Sequence, residues 1–126
     1  MDKVQLFLLV GQSNMAGRGV VAELDLTPHS RVFVLGKDGR WVSAIDPIHF
    51  DKPEAGVGQG KFFGQIIADA NPGVIIGLIP CAVGGAPVNA WQPCVFYPPT
   101  KIHPWDETVK RVGIALKGIR VILIEN

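Results

Sequence analysis

Two nearly continuous apolar runs, Val4 to Val10 and Val74 to Ile79, constrain this chain more than any other feature. Both are far short of the ~20 apolar residues that cross a bilayer. Both have the length of a strand, and a strand apolar on every side belongs inside a sheet covered on both faces. Arg31 to Leu35 and Val121 to Ile124 add shorter strand signals, the first closed by the turn Gly36-Lys37-Asp38-Gly39. Helical patterns lie between the strands. In Lys61 to Ala70, Phe62, Phe63, Ile66, Ile67 and Ala70 recur at helical spacing, and Asn71-Pro72-Gly73 ends the pattern. In Pro104 to Lys117, Trp105, Val109, Val112 and Leu116 make an apolar stripe. Pro104 suits the first turn of that helix, Asp106 and Glu107 its amino end, and Lys117-Gly118 its close. Strands alternating with helices predict an α/β fold with a parallel sheet.

The chain has 126 residues, enough for one domain and one core. It is 48% hydrophobic and 18% charged, the balance of a globular protein rather than a disordered one. With a formal charge of +1 and no basic stretch interleaved with aromatics, nucleic acid is excluded as an expected partner. Cys81 and Cys94 do not make a disulfide framework, and without Cys-x-x-Cys no structural zinc site is expected; both thiols read as small buried side chains. The apolar start is broken by Gln5 and has no Ala-x-Ala-like site after it, so it is not a signal peptide, and the chain as given is expected to be cytoplasmic, off the membrane. Ser43 to Gly60 and Pro93 to Pro104 are long loops for so small a domain, and long loops are often functional.

Chemistry concentrates in the segments just after the two apolar runs. Gly11-Gln12-Ser13-Asn14-Met15-Ala16-Gly17 turns the backbone and presents a serine at a strand's carboxyl end, where open α/β sheets collect ligands. Ser13 is a candidate nucleophile; the competing reading is a helix cap, a common role for Ser and Asn. Met15 stands where the second glycine of Gly-x-Ser-x-Gly would be, so this is not the common hydrolase elbow. After the other run comes Pro80-Cys81-Ala82-Val83-Gly84-Gly85, whose glycines permit close backbone approach; the Gly85 N–H is a candidate oxyanion donor, against the plainer reading of a turn. Gly56-Val57-Gly58-Gln59-Gly60 precedes Lys61 but comes after no clear strand, and neither dinucleotide nor P-loop spacing occurs.

These three segments, in this order and spacing, resemble the sialate O-acetylesterase-like branch of the SGNH hydrolases, which includes the acetylxylan esterases of carbohydrate esterase family 6. The resemblance runs from Val4 to about Ile119. It implies a flavodoxin-like three-layer α/β/α sandwich, with residues 1–126 forming a single, partial domain of that kind. It implies that Ser13 is the nucleophile and that the N–H groups of Ser13 and Gly85 line the oxyanion hole. Gln12, Asn14, His49 and Trp91 are then candidate substrate contacts. The implied substrates are acetyl esters on sugars, and neither metal nor organic cofactor is implied.

The chain departs from the family pattern in one respect. A Trp-His-Gln-Gly-Glu-like segment after the fourth strand, and an Asp-x-x-His pair far downstream supplying the base, are not found before Asn126. Relative to the family, the last strand and helix are expected to be lacking, and Asn126 falls near the third oxyanion donor. The alternative function is therefore a catalytically incomplete fragment, or a non-catalytic remnant, with a raw sheet edge beside Val121 to Ile124 open to self-association. A nucleotide-binding module has only the sheet architecture in its favour. Asp46-Pro47-Ile48-His49 repeats the Asp-x-x-His spacing, out of family order, and reads better as a rim. His29 reads as surface, and His103 as flanking a helix start. Trp41 and Trp91 are candidates for stacking on sugar rings or for packing.

Overall fold

In the computed structural model, residues 3–119 are described. Four strands form one sheet: β1 (Lys3–Leu9), β2 (Val32–Leu35), β3 (Trp41–Ser43) and β4 (Val74–Pro80). Three α-helices accompany it: α1 (Ser13–Ala16), α2 (Gln59–Ala70) and α3 (Pro104–Lys117). The sheet order is β1-β4-β2-β3. β4 lies parallel to both β1 and β2, whereas β3 pairs antiparallel with β2. The sheet is therefore mixed, not purely parallel as expected. The turn Gly36 to Gly39 does more than end β2. Gly36 N–H donates to the Arg40 carbonyl at 2.8 Å and Arg40 N–H to Asp38 Oδ1 at 3.0 Å, folding the chain back as a hairpin. The candidate strand Val121 to Ile124, its edge and Asn126 lie outside the described residues.

Alternation along β4 divides the core into two layers. Ile76 and Leu78 join Val32, Val34 and Ala68 under α2, while Ile75 and Ile79 join Leu35, Trp41 and Ala115 under α3. The two helices thus cover opposite faces, giving helix, sheet and helix layers. Among the described residues β1 has a neighbour on one side only. Its run is apolar, as a central strand requires, yet Leu8 is 43% exposed and only Leu9 is buried. Among the described residues β1 is thus not the doubly covered strand its composition predicts. Among the described residues, no helix is long and apolar enough to cross a membrane.

The helices begin and end close to where the sequence places them, but they are turned. In α2 the buried residues are Gly60, Lys61, Gly64 and Ala68, while Phe62 and Ile66 face outward. Small residues bring the helix axis close to the sheet: a Cβ on Gly64 would lie 3.0 Å from Val32 and 3.2 Å from Leu78. The buried Lys61 ammonium donates to the Asp25 carbonyl. In α3 the inward residues are Pro104, Thr108, Arg111 and Ala115, and Trp105, Val109 and Leu116 are exposed. Arg111 is tolerated inside because it donates to the carbonyls of Leu35 (2.7 Å) and Gly36 (2.9 Å) and stacks over Phe50. Arg31 does the same at the join of α2 and β4, donating to the Ala68, Asn71 and Val74 carbonyls.

Candidate active site

The serine and double-glycine segments are held side by side by main-chain bonds that extend the β1–β4 pairing. Cys81 N–H donates to the Leu9 carbonyl at 2.8 Å and Val83 N–H to the Gly11 carbonyl at 2.9 Å. Ser13 comes two residues beyond the second bond on one chain segment, and Gly85 two residues beyond it on the other. Both positions therefore lie at the carboxyl end of the sheet. Ser13 opens the short helix α1, whose bonds run from Ala16 N–H to Gln12 and from Gly17 N–H to Ser13. The cap reading of this serine does not hold: Gln12 occupies the cap position, no side chain bonds there, and Ser13 is the first helical residue. Ser13 is half-buried, and its hydroxyl has no hydrogen-bond partner among the described residues. Its N–H, in the first turn, has no intrahelical acceptor. Gly85 is exposed with φ +78°, and its N–H donates to nothing among the described residues.

The third motif completes the scaffold. Gly56 N–H donates to the Gly17 carbonyl at 2.9 Å, and Gly19 and Val57 exchange both main-chain bonds at 3.0 and 2.9 Å. A Cβ on Gly17, at φ +90°, would lie 2.5 Å from Gly58 N and 2.6 Å from the Val57 carbonyl carbon. Gly17→Ala is therefore expected to destabilise the fold by about 3 kcal/mol, combining left-handed strain with backbone overlap. Urea unfolding would measure it as a lower midpoint with unchanged slope.

Asp51 ties this scaffold to the double glycine. Its side chain is 1% exposed, and Oδ2 accepts from Arg18 Nη2 at 3.0 Å and from Gly84 N–H at 2.7 Å. Arg18 also donates to the Gly17 carbonyl at 2.8 Å. One carboxylate thus joins the tail of the serine motif to the residue before Gly85. Gly84 has no room for a side chain, since a Cβ would sit 2.5 Å from Arg18 Nη2 and 2.8 Å from Asp51 Oδ2. The sequence reading missed Arg18 and Asp51. A charged pair separated by 33 positions has no local pattern to reveal it.

The other residues singled out by sequence fall into separate places. Gln12 and Trp91 share an open apolar groove of about 430 Å³ with Leu8, Val10 and Trp105. Asn14 is exposed beside Ser13. Trp41 is not a surface platform; it is 6% exposed, packed among Leu35, Ile75 and Ile79. His29 bridges from its loop to α2, with Nε2 2.8 Å from Asp69, while Nδ1 accepts from Arg31 N–H. His103 flanks α3 as expected, its ring edge-on to Phe96. Cys81 is buried, and burial pushes its thiol up from the ordinary value. Cys94, contrary to expectation, is exposed; at φ 67° its N–H reaches the Asp106 carboxylate, which holds a loop residue at the surface.

His49 is 4% exposed and lines a cavity that does not include the serine loop. No hydrogen bond joins it to Asp46, despite the Asp-x-x-His spacing. Burial drives its imidazole down to about 4; nearby Asp51 opposes that shift, and Arg111 and Arg18 reinforce it. A histidine whose folded value lies below its ordinary 6.5 stabilises the fold fully above about pH 6.5, and loses that contribution as pH falls toward 4. At about 1.4 kcal/mol per pH unit, the full loss is about 3 kcal/mol. Urea unfolding of the chain and of His49→Gln at pH 7 and pH 4 checks this: their stability difference should change by that amount, in the direction of a weaker wild type at pH 4.

At one sheet end of this layered α/β domain a serine hydroxyl without a partner among the described residues stands beside a double glycine. Comparison with known proteins gives the family. The sequence profile of the family "Carbohydrate esterase, sialic acid-specific acetylesterase" matches residues 3–124, and the chain belongs to that family. It is 35% identical to the probable carbohydrate esterase At4g34215 of Arabidopsis thaliana, over 85% of this chain and 46% of that protein. The crystal structure of the Arabidopsis thaliana protein AT4G34215 matches with TM-score 0.74 and 30% identity, covering 91% of this chain and 52% of that one. The crystal structure of NanS matches with TM-score 0.65 and 16% identity, over 91% of this chain and 49% of that one, a likeness of fold. The chain spans about half the length of these relatives.

Proposed function

We propose that this chain is the serine-bearing part of a carbohydrate O-acetylesterase that removes acetyl groups from sugars or xylan. In this reading the Ser13 hydroxyl attacks the acetyl carbonyl while a base takes its proton. The N–H groups of Ser13 and Gly85 receive the negative charge on the carbonyl oxygen. The tetrahedral centre collapses, the sugar leaves with the proton, and water releases acetate from the acetyl-serine. Gln12, Asn14 and Trp91 contact the sugar side, and no metal takes part. The observation that carries the proposal is the pair of main-chain bonds setting the Ser13 and Gly85 segments side by side, with the serine hydroxyl and both N–H groups left without partners among the described residues.

In this reading none of the three histidines is the base. His29 is committed to Asp69 and precedes β2, at the other end of the sheet; His103 lies against Phe96; His49 lies in a cavity the serine loop does not line. The same placement favours a second reading, in which the chain by itself is catalytically incomplete. Incubation with p-nitrophenyl acetate and a serine-directed fluorophosphonate, alongside Ser13→Ala, separates the two. Labelling with turnover supports a competent esterase. Neither labelling nor turnover from folded chain supports the incomplete domain.

A further inference from the structure

Two side chains stand over the exposed Gly85. A Cβ built on that glycine would lie 2.9 Å from the Tyr97 hydroxyl and 3.8 Å from Lys52 Nζ. By covalent bond lengths, the hydroxyl is therefore within about 6 Å of the Gly85 nitrogen. Two donors at that spacing can hold one oxygen between them. Tyr97 is half-buried, and its hydroxyl is open to solvent and bonds to nothing among the described residues. Tyr97 stands in the loop Pro93 to Pro104, whose length already points to a function.

The hydroxyl is also held in place. The Tyr97 ring packs on Val83, Ala86 and Ala90, and the first two lie on the turn that carries Gly85. Ala86 N–H donates to the Val83 carbonyl at 3.2 Å, closing that turn around Gly84 and Gly85. The Tyr97 main chain is fixed as well: its N–H donates to the Ile102 carbonyl at 2.8 Å, and its carbonyl accepts from Lys101 N–H at 3.0 Å. Ring and double glycine thus form one packed unit, and a donor so fixed needs little reorganisation when charge develops in front of it. Packing alone does not call for the phenol oxygen, since none of the residues around the ring bonds to it. Lys52 adds positive charge at the same place, with no ion pair among the described residues.

We propose, resting on the esterase reading of Ser13, that the Tyr97 hydroxyl is a side-chain donor to the carbonyl oxygen of the ester, beside the Gly85 N–H. As the serine attacks, that oxygen gains negative charge. The N–H and the phenol both donate to it, and the Lys52 ammonium favours the charge from the same side. The phenol keeps its proton throughout, so no bond to it forms or breaks. Phenylalanine at this position would fill the same ring site and leave the Gly85 N–H without its companion donor.

Tyr97 is the chain's single tyrosine, so protein grown with tyrosine isotope-labelled at Cζ gives one magnetic resonance signal for it. Acetate, the reaction product, presents a carboxylate oxygen where the carbonyl oxygen would sit, and its binding needs no turnover. It is titrated into the labelled protein, with sodium chloride as the control, while the Tyr97 Cζ signal and the Gly85 amide signal are followed. Both should move along one saturation curve with acetate and stay in place with chloride. In Tyr97→Phe, acetate read at Gly85 should bind about 10-fold more weakly, with Tm retained. A Gly85 signal that moves while Tyr97 does not, or unchanged affinity in Tyr97→Phe, would overturn the role of Tyr97 and leave the esterase reading standing. Neither signal moving at ~100 mM acetate, far beyond mM affinity, would overturn both Tyr97 and Gly85 as donors. Where p-nitrophenyl acetate is turned over, Tyr97→Phe should lose about 10²-fold in kcat with KM little changed. A raised KM at full kcat would put the hydroxyl on the leaving group instead and overturn its role at the carbonyl. Should Tyr97→Phe not fold, the two signals of the unaltered protein decide.

Discussion

On the proposed mechanism, Ser13→Ala is expected to reduce acetyl-ester turnover at least ~10³-fold, leaving only the residual rate that oxyanion donors and binding provide. KM should change little, because in that mechanism the hydroxyl acts on the carbonyl and not on the sugar. The fold should not suffer: the hydroxyl has no hydrogen-bond partner among the described residues, and stability should stay within the ~0.5 kcal/mol typical of a change away from packed contacts. Steady-state kinetics beside a melting curve checks both halves. A fall in activity matched by a fall in stability would mean that Ser13 acts on the fold and not on a substrate.

Asp51→Ala is expected to destabilise the fold. The Asp51 side chain is 1% exposed, and its removal leaves Arg18 unpaired and Gly84 N–H without an acceptor. Arg18 is exposed and keeps its bond to the Gly17 carbonyl, so the main cost is the unpaired Gly84 N–H, about 1–3 kcal/mol. For a domain of this size the drop in Tm is about 5–10 °C. Asp51→Asn keeps the shape and one acceptor oxygen, and should lie between the two. On the proposed role of the Gly85 N–H as an oxyanion donor, the Asn variant should also lose activity beyond its loss of folded protein, because Gly85 comes directly after Gly84; displacing one such donor costs about 10²–10³-fold in comparable sites. Urea unfolding gives the first quantity, and kcat at a temperature where the variant is fully folded gives the second. An Asn variant with full kcat would separate Asp51 from the chemistry and leave it a purely structural residue.

The parts of this molecule legible in the sequence were those fixed by local physics. Proline at the start of α3, the Asn71-Pro72-Gly73 stop after α2 and the β-rich runs of β1 and β4 each act within a few residues, and the elements begin and end near where those signals fall. Which face of each helix turns inward was not legible. Periodicity places Phe62 and Ile66 of α2, and Trp105 and Val109 of α3, on core stripes. The sheet instead receives Gly64 and Ala68 from one helix and Arg111 and Ala115 from the other. Close approach rewards small residues, and a charge is tolerated where carbonyls such as those of Leu35 and Gly36 await it. β3 escapes a sequence reading because three residues carry too little pattern, although the Gly36–Gly39 turn that makes its hairpin is visible.

The candidate site divides in the same way. Ser13 and the double glycine stand out because each comes after an apolar strand and breaks its pattern. What joins them does not stand out. The bonds from Cys81 to Leu9 and from Val83 to Gly11 depend on β1 and β4 lying side by side, and the Arg18–Asp51–Gly84 link depends on three loops meeting. By spacing His49 is a rim residue or a substitute base, and the structure places it in a second cavity with an unpaired ring nitrogen. That cavity is assembled from chain segments that only the fold brings together.

The most direct test of Ser13 as the nucleophile is to map, by mass spectrometry of peptides, where a serine-directed fluorophosphonate attaches to the native protein. A single adduct on Ser13 is expected, missing from Ser13→Ala and weakened in Asp51→Asn. An adduct on a different residue, or hydrolysis of acetyl esters that continues undiminished in Ser13→Ala, would contradict it.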